Sequence, residues 1–364
     1  MMKVFHIICK LDLGGSERVA INIAKHKDND VEQHIVELMR GNSAFTKGII
    51  SELEENGIPY HRSCLPVLFE WHYVMQKIIA MLFPLRFLFL WLKYRPDVIH
   101  CHTEMPEMAV WLSLKMMPFI NIKVVRTIHN TKLWTGMAHT GARVEKFMQK
   151  RNANIAISDN VKKAYTSIYG GNPPIIYNGV VPVEQSIYQG LIEGKTNICF
   201  AGRLEEQKGI STLCEIIERL KDDTRYHFHI FGSGRLQSLI DDISHLPNVS
   251  VSGPLNGIAS YLGSFDYVIM PSIHEGLSIF ALEASFNGAP LLINRCDGLA
   301  DTLPEDWPLA VNGNNIDQWM EIFQHKISST DRNILKSQAL TYVKSRFSIE
   351  IMQTEYVKVY RCNA

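Results

Sequence analysis

Glu275 and Glu283 stand eight residues apart in P-S-I-H-E-G-L-S-I-F-A-L-E-A-S-F-N-G, residues 271–288, where a loop passes into a helix. Tyr267 to Met270 reads as a buried strand, Pro271-Ser272 ends it, and Ile279, Leu282 and Phe286 recur at helical spacing until Gly288. Glu275 therefore precedes the helix, and Glu283 lies about one turn inside it. N–H groups at a helix start are unpaired and sit at the positive end of the dipole, so Gly276, Leu277 and Ser278 suit a bound phosphate. With a carboxylate on either side, the stretch fits a ligand whose hydroxyls flank a diphosphate. An acidic loop before an ordinary amphipathic helix would look the same, so its neighbours decide. Arg203 and Lys208, in A-G-R-L-E-E-Q-K-G after the apolar strand Ile198 to Phe200, are cations beside this anion site. Arg can grip phosphate oxygens in a fork and Lys can act as a point charge, so together they can stabilise charge on a leaving diphosphate. Phe231-Gly232-Ser233-Gly234 is a turn after another strand, where missing side chains would let a nucleotide lie against the backbone. It lacks the third glycine of a dinucleotide fingerprint, which weighs against a dehydrogenase.

Except for Glu283 inside its helix, these groups follow the ends of apolar strands. Strand-like and helix-like segments alternate along the whole chain, as in doubly wound α/β domains that bind ligands at the carboxyl ends of their strands. With 364 residues, 46% of them apolar, the chain can fill two cores, and its pattern breaks between Val181 and Gly194. Long low-complexity tracts and internal repeats are absent.

The order A-G-R-L-x3-K-G, F-G-S-G, P-S-x-x-E-G-L-S-x3-L-E-A and Gly288-Ala289-Pro290 resembles the C-terminal half of retaining glycosyltransferases of the GT-B fold, in the large family 4 group (glycosyl transferases group 1). The N-terminal half is similar too. Leu13-Gly14-Gly15-Ser16-Glu17-Arg18 follows the first strand, Asp97-Val98-Ile99-His100-Cys101-His102 resembles the D-V-x-H-x-H strand, and Thr127-Ile128-His129 resembles the T-x-H segment. Ala156-Ile157-Ser158 and Tyr177-Asn178-Gly179-Val180 add to the match. The resemblance implies a GT-B fold, with two Rossmann-like doubly wound domains facing a central cleft. Residues 1–182 would form an acceptor-binding domain and 183–346 a nucleotide-sugar-binding domain. Residues 347–364 would form a helix that crosses back to the first, so that truncating it destabilises both.

From the same resemblance, Glu283 takes the ribose hydroxyls of a nucleotide sugar, and Arg203 and Lys208 take the diphosphate. Gly14-Gly15 closes on the donor, Gly232 lies beside the nucleotide, and Glu275 with Gly276, Leu277 and Ser278 holds sugar and phosphate. His129 sits beside the donor sugar, and the anomeric configuration is retained without a dedicated base. The donor expected first is a UDP-sugar and second GDP-mannose, with no cofactor and no metal. Asp297-Gly298-Leu299-Ala300-Asp301 departs from the G-G-x-x-E turn usual in the family, which bears on the identity of the sugar. The expected acceptor is a saccharide, lipid-linked, in bacterial O-antigen, capsule or exopolysaccharide assembly. The alternatives are a soluble transferase acting on a small acceptor and a non-catalytic nucleotide-sugar-binding protein.

Seven cysteines without a C-x-x-C pair read as buried free thiols of a reducing compartment. Met1 to Ile8 reads as a strand rather than a signal segment, so a cytoplasmic protein is expected. Residues 1–180 carry 22 Lys+Arg against 15 Asp+Glu, or +7, and the other 184 carry 15 against 22, or −7. Val74 to Leu92 is apolar on nearly every side, with Lys77, Arg86, Lys93 and Arg95 in or beside it. Arg86 and Pro84 make it a poor spanning helix, and the segment is expected to lie in a membrane interface, on the inner face of the plasma membrane. The family position carries a packed helix instead. His100 and His102 share a strand face, but one pair without a third ligand is no metal site, and His227 and His229 read as plain strand residues. No aromatic–basic array points to nucleic acid.

Overall fold

The computed structural model describes residues 1–12, 14–65 and 73–362. It divides into two compact units, one of residues 1–179 with 349–364 and one of residues 180–348. Leu13, quoted above with the glycine pair, lies outside the described residues.

The first unit is a six-stranded parallel sheet of β1 (Met2–Ile8), β2 (Val31–Glu37), β3 (Tyr60–His61), β4 (Val98–His102), β5 (Lys123–Ile128) and β6 (Asn154–Ala156), in the order 3-2-1-4-5-6. Its helices are α1 (Gly15–Ala24), α2 (Ala44–Glu55), α3 (Tyr73–Tyr94), α4 (Glu104–Met116), α5 (Ala138–Lys150) and α6 (Asp159–Tyr169). Val4, Phe5, Ile7 and Ile8 of β1 are fully buried, since helices cover both faces of a parallel sheet and its strands become continuous apolar runs. Ser158, in the Ala156-Ile157-Ser158 motif, caps α6 by accepting from the Val161 N–H.

In the second unit, β7 (Thr196–Ala201), β8 (Tyr226–Phe231), β9 (Val249–Ser252), β10 (Tyr267–Met270), β11 (Leu291–Arg295) and β12 (Ala310–Asn312) form a parallel sheet in the order 12-11-10-7-8-9. Counted from its own first strand this is again 3-2-1-4-5-6, read from the other edge. Its helices are α7 (Ile210–Arg219), α8 (Gln237–Ile243), α9 (Ile279–Phe286), α10 (Ile316–Glu321), α11 (Ile327–Ser329) and α12 (Arg332–Arg346). A π-turn, Ile322–Lys326, joins α10 to α11. Two parallel six-stranded sheets with interleaved helices are the architecture expected of a GT-B chain.

α13 (Ile349–Arg361) belongs to the first unit, where Met352, Tyr356, Val357 and Tyr360 pack with Val4, Val98, Val125 and Ile155. The apolar spacing in the sequence starts this helix at Phe347. In the structure Phe347 is buried at the end of α12, and its carbonyl accepts from the Val180 N–H. The stretch 181–194 is not a free linker: Ser186 N–H donates to Ser260 O, and the Tyr188 ring stacks on Phe265. Of the seven thiols, only Cys101 and Cys199 are buried, while Cys64 and Cys362 are exposed, contrary to the sequence expectation. Both exposed thiols lie outside strands, where apolar context could not have signalled their exposure. No helix among the described residues is long and apolar enough to cross a membrane.

Candidate active site

A 3-2-1-4-5-6 sheet has its switch point between its first and fourth strands, and ligands settle at the carboxyl ends there. In the second unit those strands are β7 and β10, and the loops leaving them hold the predicted residues. After β7 the chain runs through Gly202, Arg203 and Leu204 into a short 3-10 turn, Glu206–Lys208. Gly209 then enters α7 at φ +69°, and a Cβ there would overlap the Pro271 carbonyl oxygen. Only glycine meets both demands, and its absence of side chain lets the β7 loop lie directly on the β10 loop. The Ile273 N–H donates to Gln207 O at 2.8 Å, and Gln207 Nε2 to His274 O at 3.0 Å.

This contact brings Lys208 and Glu275 together. Lys208 Nζ donates to Glu275 Oε1 at 2.6 Å, and Ser272 Oγ donates to the same oxygen at 2.8 Å. Glu275 is buried, whereas Arg203 is exposed, its guanidinium 3.4 Å from Gln207 Oε1. Arg203 thus presents an accessible guanidinium, while the Lys208 ammonium is already paired with a carboxylate. From β11 and the loop beyond β12, Asn294 Nδ2 donates to Ser272 O and Asn314 Nδ2 to Pro271 O, which fixes the strand end ahead of Glu275. Ser272 stands in the quoted P-S-x-x-E motif, whereas Gln207, Asn294 and Asn314 carried no signal in the sequence beyond being polar residues at or near strand ends.

Gly298 sits at φ +76°, with the carbonyls of Glu275 and Gly276 where a Cβ would stand. The Asp297-Gly298 turn thus braces the glutamate loop, accepting from Glu275 N–H at Asp297 O (2.8 Å) and from Ser278 N–H at Gly298 O (3.1 Å). Of the N–H groups of Gly276 to Ser278, expected to suit a phosphate, that of Ser278 is engaged by Gly298 O. Ser278 Oγ caps α9 through the Ala281 N–H, so Ile279 and Phe280 hold the first-turn N–H groups that no intrahelical carbonyl can reach. Leu277 is buried beside them, and Glu283 is half-buried on the second turn of α9. Gly232 and Gly234 have a reason other than ligand access: their missing side chains admit Gly202 O and Leu204 O, and Leu204 N–H donates to Ser233 O. Both glycines let the turn after β8 lie flat on the loop that carries Arg203.

In the first unit the switch-point strands are β1 and β4. Gly14, extended at φ −160°, is the N-cap of α1, and exposed Gly15 has nothing within reach of a Cβ. Beside them burial pushes the Glu17 carboxyl up, with Ser16 Oγ donating to it at 2.7 Å. His129 follows β5, half-buried, and burial lowers its ring to about 4, so it is neutral at pH 7 and supplies no fixed charge.

Behind His129 runs a chain of rings. His129 Nε2 lies 3.4 Å from His102 Nδ1, His102 Nε2 lies 3.1 Å from His6 Nδ1, and His6 Nε2 lies 2.8 Å from Gln33 Oε1. The third imidazole that the sequence did not offer His100 and His102 is His6, brought in by the β1–β4 register. Ligand atoms of the three lie within 4.8 Å of one another. His100 spends both nitrogens on Tyr360 OH and Thr127 Oγ1, each 2.7 Å away, so hydrogen bonds engage all six ring nitrogens of the trio. His227 and His229 bond Ser250 Oγ and Asn197 Oδ1 within the second sheet.

Residues 13–183 match the family model described as Glycosyltransferase Family 4, and residues 195–326 match Glycosyl transferases group 1. An uncharacterized glycosyltransferase of Methanocaldococcus jannaschii is 26% identical over 60% of this chain, a match spanning 61% of that relative's length. The capsular polysaccharide biosynthesis glycosyltransferase CapH of Staphylococcus aureus is 25% identical over 78% of this chain and 79% of its own. Among solved structures, Anabaena HepE in complex with UDP and glucose superposes with a TM-score of 0.77 at 16% identity, covering 99% of each chain. With two switch-point sheets and family matches to both halves, the chain is a glycosyltransferase of the GT-B type.

Proposed function

We propose that the protein moves a hexose or N-acetylhexosamine from a UDP-sugar to a lipid-linked saccharide, with retention at the anomeric carbon, in the assembly of a bacterial surface polysaccharide. The observation that carries this reading is the Lys208–Glu275 pair at the switch point of the second sheet, beside exposed Arg203 and the start of α9. The UDP and glucose held by HepE and the capsular role in the name of CapH support the donor class and the polysaccharide setting.

Arg203 and the N–H groups of Ile279 and Phe280 would hold the diphosphate. Lys208 would be shared between Glu275 and a phosphate oxygen, and Glu283 would take the ribose hydroxyls. The acceptor hydroxyl oxygen then bonds to the anomeric carbon on the same face from which the phosphate oxygen departs, as the bond from that carbon to the phosphate oxygen breaks, and the hydroxyl proton passes to the departing phosphate. The products are UDP and a lengthened saccharide, and no separate side-chain base is needed. Neutral His129 would contact the sugar as a hydrogen-bonding group rather than as a charge.

The test is proton NMR of the product made from an α-linked UDP-sugar and a saccharide acceptor. An α-linked product is expected. A β-linked product would overturn the retaining reading, and transfer from GDP-mannose alone would overturn the donor.

A further inference from the structure

The inner face of α3 is an ordinary packed face, with Ile79, Ala80, Phe83, Phe87 and Leu90 buried against the sheet and α4. Its outer face is not ordinary. Met81 is 65% exposed, Leu85 72% and Phe89 62%, and Ile78, Leu82 and Leu92 are exposed beside them. At about 100° per residue these six fall within an arc of roughly 100°, a continuous apolar stripe along the helix. Phe119, 68% exposed just beyond α4, extends the stripe, and its ring meets Trp91 edge-on. A stripe of this size on a soluble surface marks an interaction site.

Charge indicates what covers it. α3 contains no Asp or Glu, and the acids of α4 are confined to its first turn, where Glu107 pairs with Arg126. Exposed Lys77, Lys93, Arg95 and Lys115 border the apolar residues, with Arg95 lying over the Trp91 ring. Arg86, which the sequence counts among these cations, turns inward instead, donating to the carbonyls of Glu37 and His61. That removes the objection to an apolar outer face, because the one charge in mid-helix is satisfied within the protein. Two copies pressed together here would set like charges against each other. An anionic bilayer would take the apolar side chains among its acyl chains and the lysines at its headgroups.

We infer that the outer face of α3, continued by Phe119, docks this protein on the surface of an anionic lipid bilayer, lying in the interface without spanning it. This inference stands on the exposed residues and holds whatever sugar the protein transfers. The test is co-sedimentation of the full chain with vesicles of phosphatidylcholine, with and without phosphatidylglycerol. Binding should be stronger by at least about tenfold with phosphatidylglycerol. It should be lost in Leu85→Glu/Phe89→Glu and weakened several-fold in Lys93→Glu/Lys115→Glu. Both variants should keep the wild-type melting temperature and nucleotide release, since neither pair touches the donor loops. No sedimentation of the folded wild-type protein, retention of binding in both variants, or a dimer in solution that Leu85→Glu/Phe89→Glu dissociates would each overturn the assignment.

Discussion

At the scale of single residues, the pairing of Lys208 with Glu275 couples two groups that the sequence assigned separately to phosphate and sugar. The two are 67 residues apart in sequence, and only the packing of one loop on another shows that Lys208 donates to Glu275. Lys208→Ala and Glu275→Ala should each lower nucleotide release by roughly 10²-fold, the range for losing one group that stabilises the transition state. The double variant should fall well short of the product of the two losses, because each single change leaves the other charge unpaired. Steady-state release by all four proteins measures this. His6 was hidden for the same reason as the pairing: its partners His100 and His102 lie on another strand, and β register is invisible to local periodicity. The histidines make a second prediction. Burial holds His6 and His129 near 4 in the folded chain, below the usual 6.5 that the unfolded chain retains. The unfolded state therefore binds more protons between these values, so stability is full above pH 6.5 and falls as pH drops toward 4. Fully buried His6 alone would cost on the order of 3 kcal/mol by pH 4. Thermal melts at pH 7.5 and pH 5 should show the first unit losing stability at the lower pH.

At the scale of elements, the strand–loop–helix units that carry the site were legible because their apolar runs and helical spacing are strong. The way their loops lock together was not. Gly209, Gly232 and Gly298 look alike in a sequence, yet each admits a particular carbonyl, and Gly209 and Gly298 need positive φ as well. Gly209→Ala and Gly298→Ala combine a left-handed backbone with overlap on Pro271 O or Glu275 O, and each should destabilise the second unit by roughly 2–4 kcal/mol. Gly288, also at positive φ but with nothing near its Cβ position, should tolerate alanine at about 1 kcal/mol. Denaturant midpoints of the three variants separate crowding from backbone strain. α3 was legible as an apolar helix, and Pro84 sits within its continuous span. Its division into a packed face and an exposed one depends on where α4 and the sheet lie, which the near-uniform apolar sequence does not encode.

At the scale of the whole molecule, the sequence carried the fold class because each half repeats the same alternation and each sheet follows the same strand order. The return of the chain is a tertiary fact. α13 fills the first unit, with Tyr356 OH 2.7 Å from Thr127 Oγ1 and Tyr360 OH 2.7 Å from His100 Nδ1. Ending the chain at Ser348 would uncover the side chains beneath Met352, Tyr356, Val357 and Tyr360, a loss of several large buried groups at once. The truncated protein should lose the cooperative melt of the first unit in calorimetry while the second unit still unfolds as a transition of its own. The proposed donor site lies at the second switch point, around Lys208 and Glu275. Its most direct test is nucleotide release from a panel of UDP- and GDP-sugars, with a thermal-shift assay of binding, for the wild-type chain and Lys208→Ala. Release from a UDP-sugar, reduced roughly 10²-fold in the variant, is the predicted result. Neither release nor binding with any sugar nucleotide would contradict it.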